Sequence, residues 1–128
     1  MNTFVKLPSG AVEIEHIREI VSEIKGQQDF VYKKWFPRPG LRHKKSNSVT
    51  HLYTGQSFDK NSFTLDDKGW TDDHCIVCFK TLGSNLNKYT DIDGYFDGSD
   101  WVCRTCYTEF VLAANLESKL ASYGQYEK

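Results

Sequence analysis

Hydrophobic and polar positions along this chain follow two periods. Thr3-Phe-Val-Lys-Leu7 alternates as a strand does, and Pro8-Ser9-Gly10 supplies turn chemistry. Val12 and Ile14 then alternate with Glu13 and Glu15, which suits a second strand, while Ile14, Ile17, Val21 and Ile24 recur at helical spacing. The pattern predicts a helix over about Glu15–Lys25, stopped by Gly26, with a short strand before it. Glu13, Glu19 and Glu23 form its solvated face, with His16 among them as a surface residue. Further on, Val49–Tyr53 and Asn61–Leu65 read as strands, separated by a break at Gly55 and followed by a turn at Asp66-Asp67-Lys68-Gly69. Lys88-Tyr-Thr and Gly94-Tyr-Phe lead to the turn dipeptide Asp97-Gly98, from which Asp100-Trp-Val returns as a hairpin. The last periodic stretch is helical. Phe110–Ala114 is an apolar block and Leu112, Leu116, Leu120 and Tyr123 repeat at helix spacing, with Gly124 as the stop. So wide an apolar surface predicts burial on more than one side, where the two halves of the chain pack together.

Cysteine placement adds chemistry to this frame. The chain has 4 cysteines, arranged as Cys75-Ile-Val-Cys78 and Cys103-Arg-Thr-Cys106. Each two-residue gap lets one turn aim two sulfurs at the same tetrahedral ion, so Cys75, Cys78, Cys103 and Cys106 are the expected ligands of one structural zinc. Iron in a rubredoxin-like site is the alternative occupant, because the same thiolates could hold it. A redox dithiol would need one pair and not two, and a catalytic zinc needs an open position that four cysteines do not leave. His74 adjoins Cys75 and is read as a surface or supporting residue.

Composition changes the picture only locally. The formal net charge is −1 over 128 residues, so no global field advertises a polyanionic partner. Residues 1–29 carry net −2, residues 30–65 net +6 and residues 66–128 net −5. The middle segment, 31–45, interleaves Lys33, Lys34, Arg38, Arg42, Lys44 and Lys45 with Tyr32, Trp35 and Phe36, a mixture able to follow a phosphate backbone while an aromatic stacks on a base. The plainer reading makes Phe30, Tyr32 and Trp35 a core-facing strand and the lysines a solvated loop. Lys33, Lys34, Trp35, Arg38, Arg42, Lys44 and Lys45 are therefore candidate contacts for nucleic acid or for an acidic protein.

Other chemistries find little support. His43 and His51 have no nucleophile or carboxylate partner at a recognisable spacing, and the acidic run Asp91–Asp100 fails the calcium-loop template. No phosphate-cradling glycine loop, serine elbow or His-Glu-x-x-His motif occurs. No stretch has the length of a membrane span and no leader pattern opens the sequence, so a reducing cytoplasm is the expected compartment.

Taken together, a cysteine turn, a hairpin and a helix whose first turn carries the second cysteine pair resemble a treble-clef zinc finger over about residues 70–122. Phe79 stands where many such turns carry glycine. The stretches Trp70-Thr-Asp-Asp-His-Cys-Ile-Val-Cys78 and Trp101-Val-Cys-Arg-Thr-Cys-Tyr107 also resemble small bacterial zinc-binding proteins of uncharacterised role. The resemblance implies zinc binding and brings no activity with it. The expected fold is α+β: an N-terminal portion over 1–66, with short strands and a helix, packed on a treble-clef-like portion over 67–128. The expected function is a non-enzymatic scaffold for a macromolecular partner, preferably a protein because Asp72, Asp73, Asp97 and Asp100 flank the cysteines. Nucleic-acid binding through Tyr32–Lys45 is the second reading, and an enzyme with a structural zinc the third.

Overall fold

In the computed structural model, which describes residues 2–26, 29–84 and 90–127, the opening alternation becomes a hairpin of β1 (Thr3–Leu7) and β2 (Gly10–Glu13). Gly10 takes the turn exit at φ +129, a value side chains resist. Helix α1 (Ile14–Lys25) follows at once, burying Ile14, Ile17, Val21 and Ile24. Both periods in this segment are thus real and consecutive. His16 departs from expectation, since it is half-buried and not on the solvated face.

Among the described residues the strands form four small sheets of three strands each, the opening hairpin belonging to one of them. β3 (Val31–Lys34) reaches across the sequence to pair antiparallel with β10 (Asp93–Phe96), and β10 pairs with β11 (Trp101–Val102) as the Asp97-Gly98 turn requires. Asp97 Oδ1 accepts from the Ser99 and Asp100 amides at 2.9 and 2.6 Å, so this aspartate shapes a turn. A separate sheet holds β4 (Arg38–His43) between β5 (Val49–Leu52) and β6 (Phe63–Trp70). The turn expected at Asp66–Gly69 lies inside β6. There the ladder slips between Arg38 and Gly40, and the Lys68 amide bonds Asp66 Oδ1 at 3.1 Å, so turn chemistry is spent on a bulge. Another sheet contains β7 (Asp72–His74), β8 (Thr81–Gly83) and β9 (Thr90–Asp91), with β8 and β9 parallel. Lys88 and Tyr89 of the expected first hairpin strand lie outside the described residues.

After Cys103 the chain is helical, but not in one piece. α2 (Arg104–Cys106) runs directly into a π-helical turn, Tyr107–Val111, and the helix stops there. Leu112, expected on the buried stripe, is 62% exposed. A new helix, α3 (Leu116–Ser122), starts at Asn115, whose side chain accepts from the Ser118 amide at 3.0 Å. The carbonyl of Ala113 at the break takes a 2.8 Å bond from Lys25 Nζ at the end of α1. Arg18 of α1 bonds Glu117 of α3 at 3.0 Å. The final strand, β12 (Gln125–Glu127), pairs antiparallel with β1, so the first sheet is ordered β12-β1-β2.

One apolar cluster unites α1, the first sheet and the cysteine region: Val5, Ile17, Val21, Leu82, Trp101, Phe110 and Leu120 all belong to it, with the four cysteines. Trp101 stacks on Phe96 at 4.7 Å and lies 5.2 Å from Trp35. The β4–β5–β6 sheet does not join this cluster, although Leu41 is buried within that sheet. Close packing leaves no room for a side chain at Gly94 on β10, where a Cβ would sit 2.8 Å from the Val102 carbonyl oxygen and 2.9 Å from Leu82 Cδ2. Gly94→Ala is expected to cost about 1–3 kcal/mol of stability, read as a lower denaturation midpoint with unchanged slope.

Candidate metal centre

Two turns from different parts of the chain bring the sulfurs together. In the first, the Phe79 amide donates to the Cys75 carbonyl at 2.8 Å and the Val77 amide points at Cys75 Sγ at 3.4 Å. In the second, Cys103 caps α2, its Sγ accepting from the Cys106 amide at 3.4 Å. An isolated bridge between Cys75 and Trp101, with the Ile76 amide on the Trp101 carbonyl at 3.0 Å, fixes the first turn against the hairpin that leads into the second. All four cysteines are buried, and their sulfurs lie within 4.8 Å of one another.

The spacing selects among the chemistries left open by the sequence. Cys78 and Cys103 sulfurs are 3.7 Å apart. A disulfide needs about 2.05 Å. A tetrahedron with metal–sulfur bonds of about 2.3 Å has edges of about 3.8 Å. The four-cysteine cluster therefore fits a metal ion, and its donor set suits zinc or iron.

Electrostatics point the same way. Hydrogen bonds from Cys103 and then Cys106 draw the Cys78 thiol below its ordinary value, whereas the bond with Cys103 and burial push the Cys106 thiol up. Four buried thiols cannot all give up their protons without a cation among them, which a metal ion would supply. Lys80 moderates the charge that remains. Its ammonium meets Asp91 at 2.8 Å, and its pKa is raised first by Asp91, with Cys103 and Cys78 adding to the effect.

Three supporting residues were not singled out by sequence reasoning. Ser9, at the β1–β2 turn, donates to the Cys78 carbonyl at 3.2 Å. His16 on α1 places Nε2 2.9 Å from the Ile76 carbonyl and stacks its ring on Phe79 at 4.8 Å. Lys80 is the third. Only His16 carried a sequence signal, since it neighbours the buried positions of α1 and lies at the border of the apolar face. Phe79 itself adopts φ +66, a left-handed conformation that glycine takes freely and that costs another residue roughly 1–2 kcal/mol. The sequence departure at this position is thus a departure in side chain and not in backbone shape. His74 is exposed.

The basic segment is divided between two sheets. Lys33 and Lys34 are exposed on β3, where Lys33 Nζ lies 5.9 Å from the Phe36 ring. Trp35 is half-buried against Trp101. Arg38 and Arg42 lie on β4: Arg38 sits over Phe96 at 5.2 Å, and Arg42 pairs with Asp66 at 2.6 Å. Lys44 and Lys45 occupy the turn after β4, with Lys44 Nζ donating to the Lys60 carbonyl at 2.6 Å. His43 Nδ1 accepts from the Lys45 amide, and His51 Nδ1 bonds the Thr50 hydroxyl.

Compared with known protein families, with curated proteins and with solved structures, the chain matches none. The site's own geometry carries the functional argument.

Proposed function

We propose that this chain is a small, non-enzymatic zinc-binding protein in which a structural four-cysteine site holds a scaffold for a macromolecular partner. The observation that carries the reading is the burial of four sulfurs at metal-ligand spacing inside the main apolar cluster. A metal placed there braces the core, and no ligand position is left over for substrate. A cysteine turn, the β10–β11 hairpin and a helical segment beginning at Cys103 occur in the order of a treble clef, which supports that architecture for the zinc unit. Zinc is the proposed ion, one per chain, with iron as the alternative; the cytoplasm is the proposed compartment, where thiols stay reduced. No helix among the described residues is long and apolar enough to cross a membrane.

A protein is the proposed partner. Asp72, Asp73, Asp97 and Asp100 lie close in sequence to the cysteines, and Asp100 is itself held above the usual carboxylate range by burial, then by Asp97 and Asp73. Such a surface opposes a phosphate backbone. Nucleic-acid binding stays as the second reading because the β4–β5–β6 sheet carries Lys44, Lys45 and Lys60 in its turns.

Titrating metal-loaded protein into labelled single- and double-stranded RNA and DNA separates the two. The protein-partner reading expects no saturable binding even at low salt. Micromolar binding that weakens steeply with salt, and is lost on charge reversal at Lys33 and Lys34 or at Lys44 and Lys45, would replace it with the nucleic-acid reading. Elemental analysis of the purified chain is expected to give one zinc.

A further inference from the structure

A cleft of about 640 Å³ opens between the β1–β2 turn and the first cysteine turn. That size is ordinary for a ligand site. One side is the outer face of the first sheet, where Lys6 pairs with Ala11 and Tyr126 lies on the far strand; the other is Phe79 and Lys80.

Phe79 is the most informative of these residues. Its backbone is held in a conformation that favours glycine, yet the residue is 56% exposed, so burial alone does not repay the strain. The stack on His16 sets the ring's pose, and the His16 bond to the Ile76 carbonyl sets the pose of His16. An aromatic surface is thus presented to solvent in a fixed orientation. Such surfaces serve as anchors for an apolar side chain of a partner.

Charge and backbone say more about the occupant. Among the described residues, the charged side chains lining the cleft are Lys6 and Lys80, with no carboxylate beside them. Lys80 is shared with Asp91, whereas Lys6 makes no ion pair among the described residues. β2 is an edge strand of its sheet, and Gly10 and Ala11 on it are exposed and line the cleft. An extended chain can add to such an edge while alternate side chains enter the cleft.

We propose that this cleft docks an extended, acidic segment of the partner protein, with an apolar side chain against Phe79 and Tyr126 and a carboxylate at Lys6. The proposal rests on the protein-partner reading above. It also ties binding to the metal. Ser9, on one wall, bonds the Cys78 carbonyl, and Phe79, on the other, bonds the Cys75 carbonyl, so the spacing of the walls is set by the cysteine turn.

Fluorescein-labelled octapeptides alternating Leu or Phe with Asp or Glu provide the probe, read by anisotropy against metal-loaded protein. A matched set with Lys in place of the acids is the control. Saturable micromolar binding of the acidic set is expected, with the lysine set at least tenfold weaker. Phe79→Gly should weaken the acidic set at least tenfold while zinc content and melting temperature are kept or raised, because glycine relieves the backbone. Lys6→Glu should weaken it comparably, and Leu112→Ser, an exposed apolar position elsewhere, should leave it unchanged. Failure of the acidic set to saturate, equal binding by wild type and Phe79→Gly, or saturable binding of a dodecathymidylate that Phe79→Gly abolishes would each overturn the proposal. The scaffold reading fails separately, if chelation leaves the melt of the peptide-free protein unchanged.

Discussion

Stripping the metal with a chelator is expected to unfold the cysteine region and to destabilise the rest of the chain with it. Binding at a structural four-ligand zinc site is worth on the order of 10 kcal/mol or more near neutral pH, comparable to the whole stability of a domain. Here the ligands are not on a peripheral flap: Cys75, Cys78, Cys103 and Cys106 share one cluster with Ile17, Val21 and Leu120 from both ends of the sequence. Cys78→Ser or Cys106→Ser should therefore remove stoichiometric zinc and lower the melting temperature, as followed by elemental analysis and circular dichroism. Acid should act in the same direction. Metal ligation requires thiolates, so protons compete with the metal for the four sulfurs and the stabilisation it gives is lost as pH falls. A metal-free wild type with an unchanged melt would sink the structural role of the site.

Trp101→Ala is expected to give the largest loss among core substitutions that leave the ligands in place, about 3–5 kcal/mol. Trp101 is fully buried, and its ring meets Phe96, Trp35 and Phe36. Its backbone meanwhile bridges Cys75. At a few degrees per kcal/mol for a chain of this size, the melting temperature should fall by roughly 10 °C or more. Trp101→Phe keeps an aromatic ring in the cluster and should cost markedly less. Equal losses from the two substitutions would mean that the ring stack contributes little and that the bridge to Cys75 dominates.

How far the fold could be read in advance depended on the range of each interaction. Helix α1 was legible because four branched apolar residues mark one face of it, and the β10–β11 hairpin because Asp97-Gly98 names its own turn. The four-cysteine cluster was legible because two-residue gaps between cysteines have few other uses. The helical break at Leu112 was hidden by the apolar block around it: Asn115 is a good cap, but a cap is recognisable only once the preceding residues are known to leave the helix. Asp66 misled for a related reason. The side-chain bond it makes to the Lys68 amide serves a turn and a bulge equally well, and pairing with β4 decided for the bulge. The basic segment was continuous in sequence, yet β3 joined one sheet and β4 another, a division set by partners some sixty residues away for β3 and by Pro37 between the strands. Ser9 supports the cysteine turn through a contact that no local pattern encodes.

The pairing of β1 with β12 has a consequence in time. As the chain emerges from the ribosome, β1 and β2 can meet almost immediately and α1 can form beside them, but the outer edge of β1 stays open until residues beyond Tyr123 arrive. β3 must likewise wait for β10, and the first cysteine pair for the second. Contacts of such long separation are slow to close, so this protein should spend its synthesis as a collection of partly formed pieces with bare strand edges. Capture of the proposed metal would then fall late, after Cys106 has been made, and would turn those waiting pieces into one body.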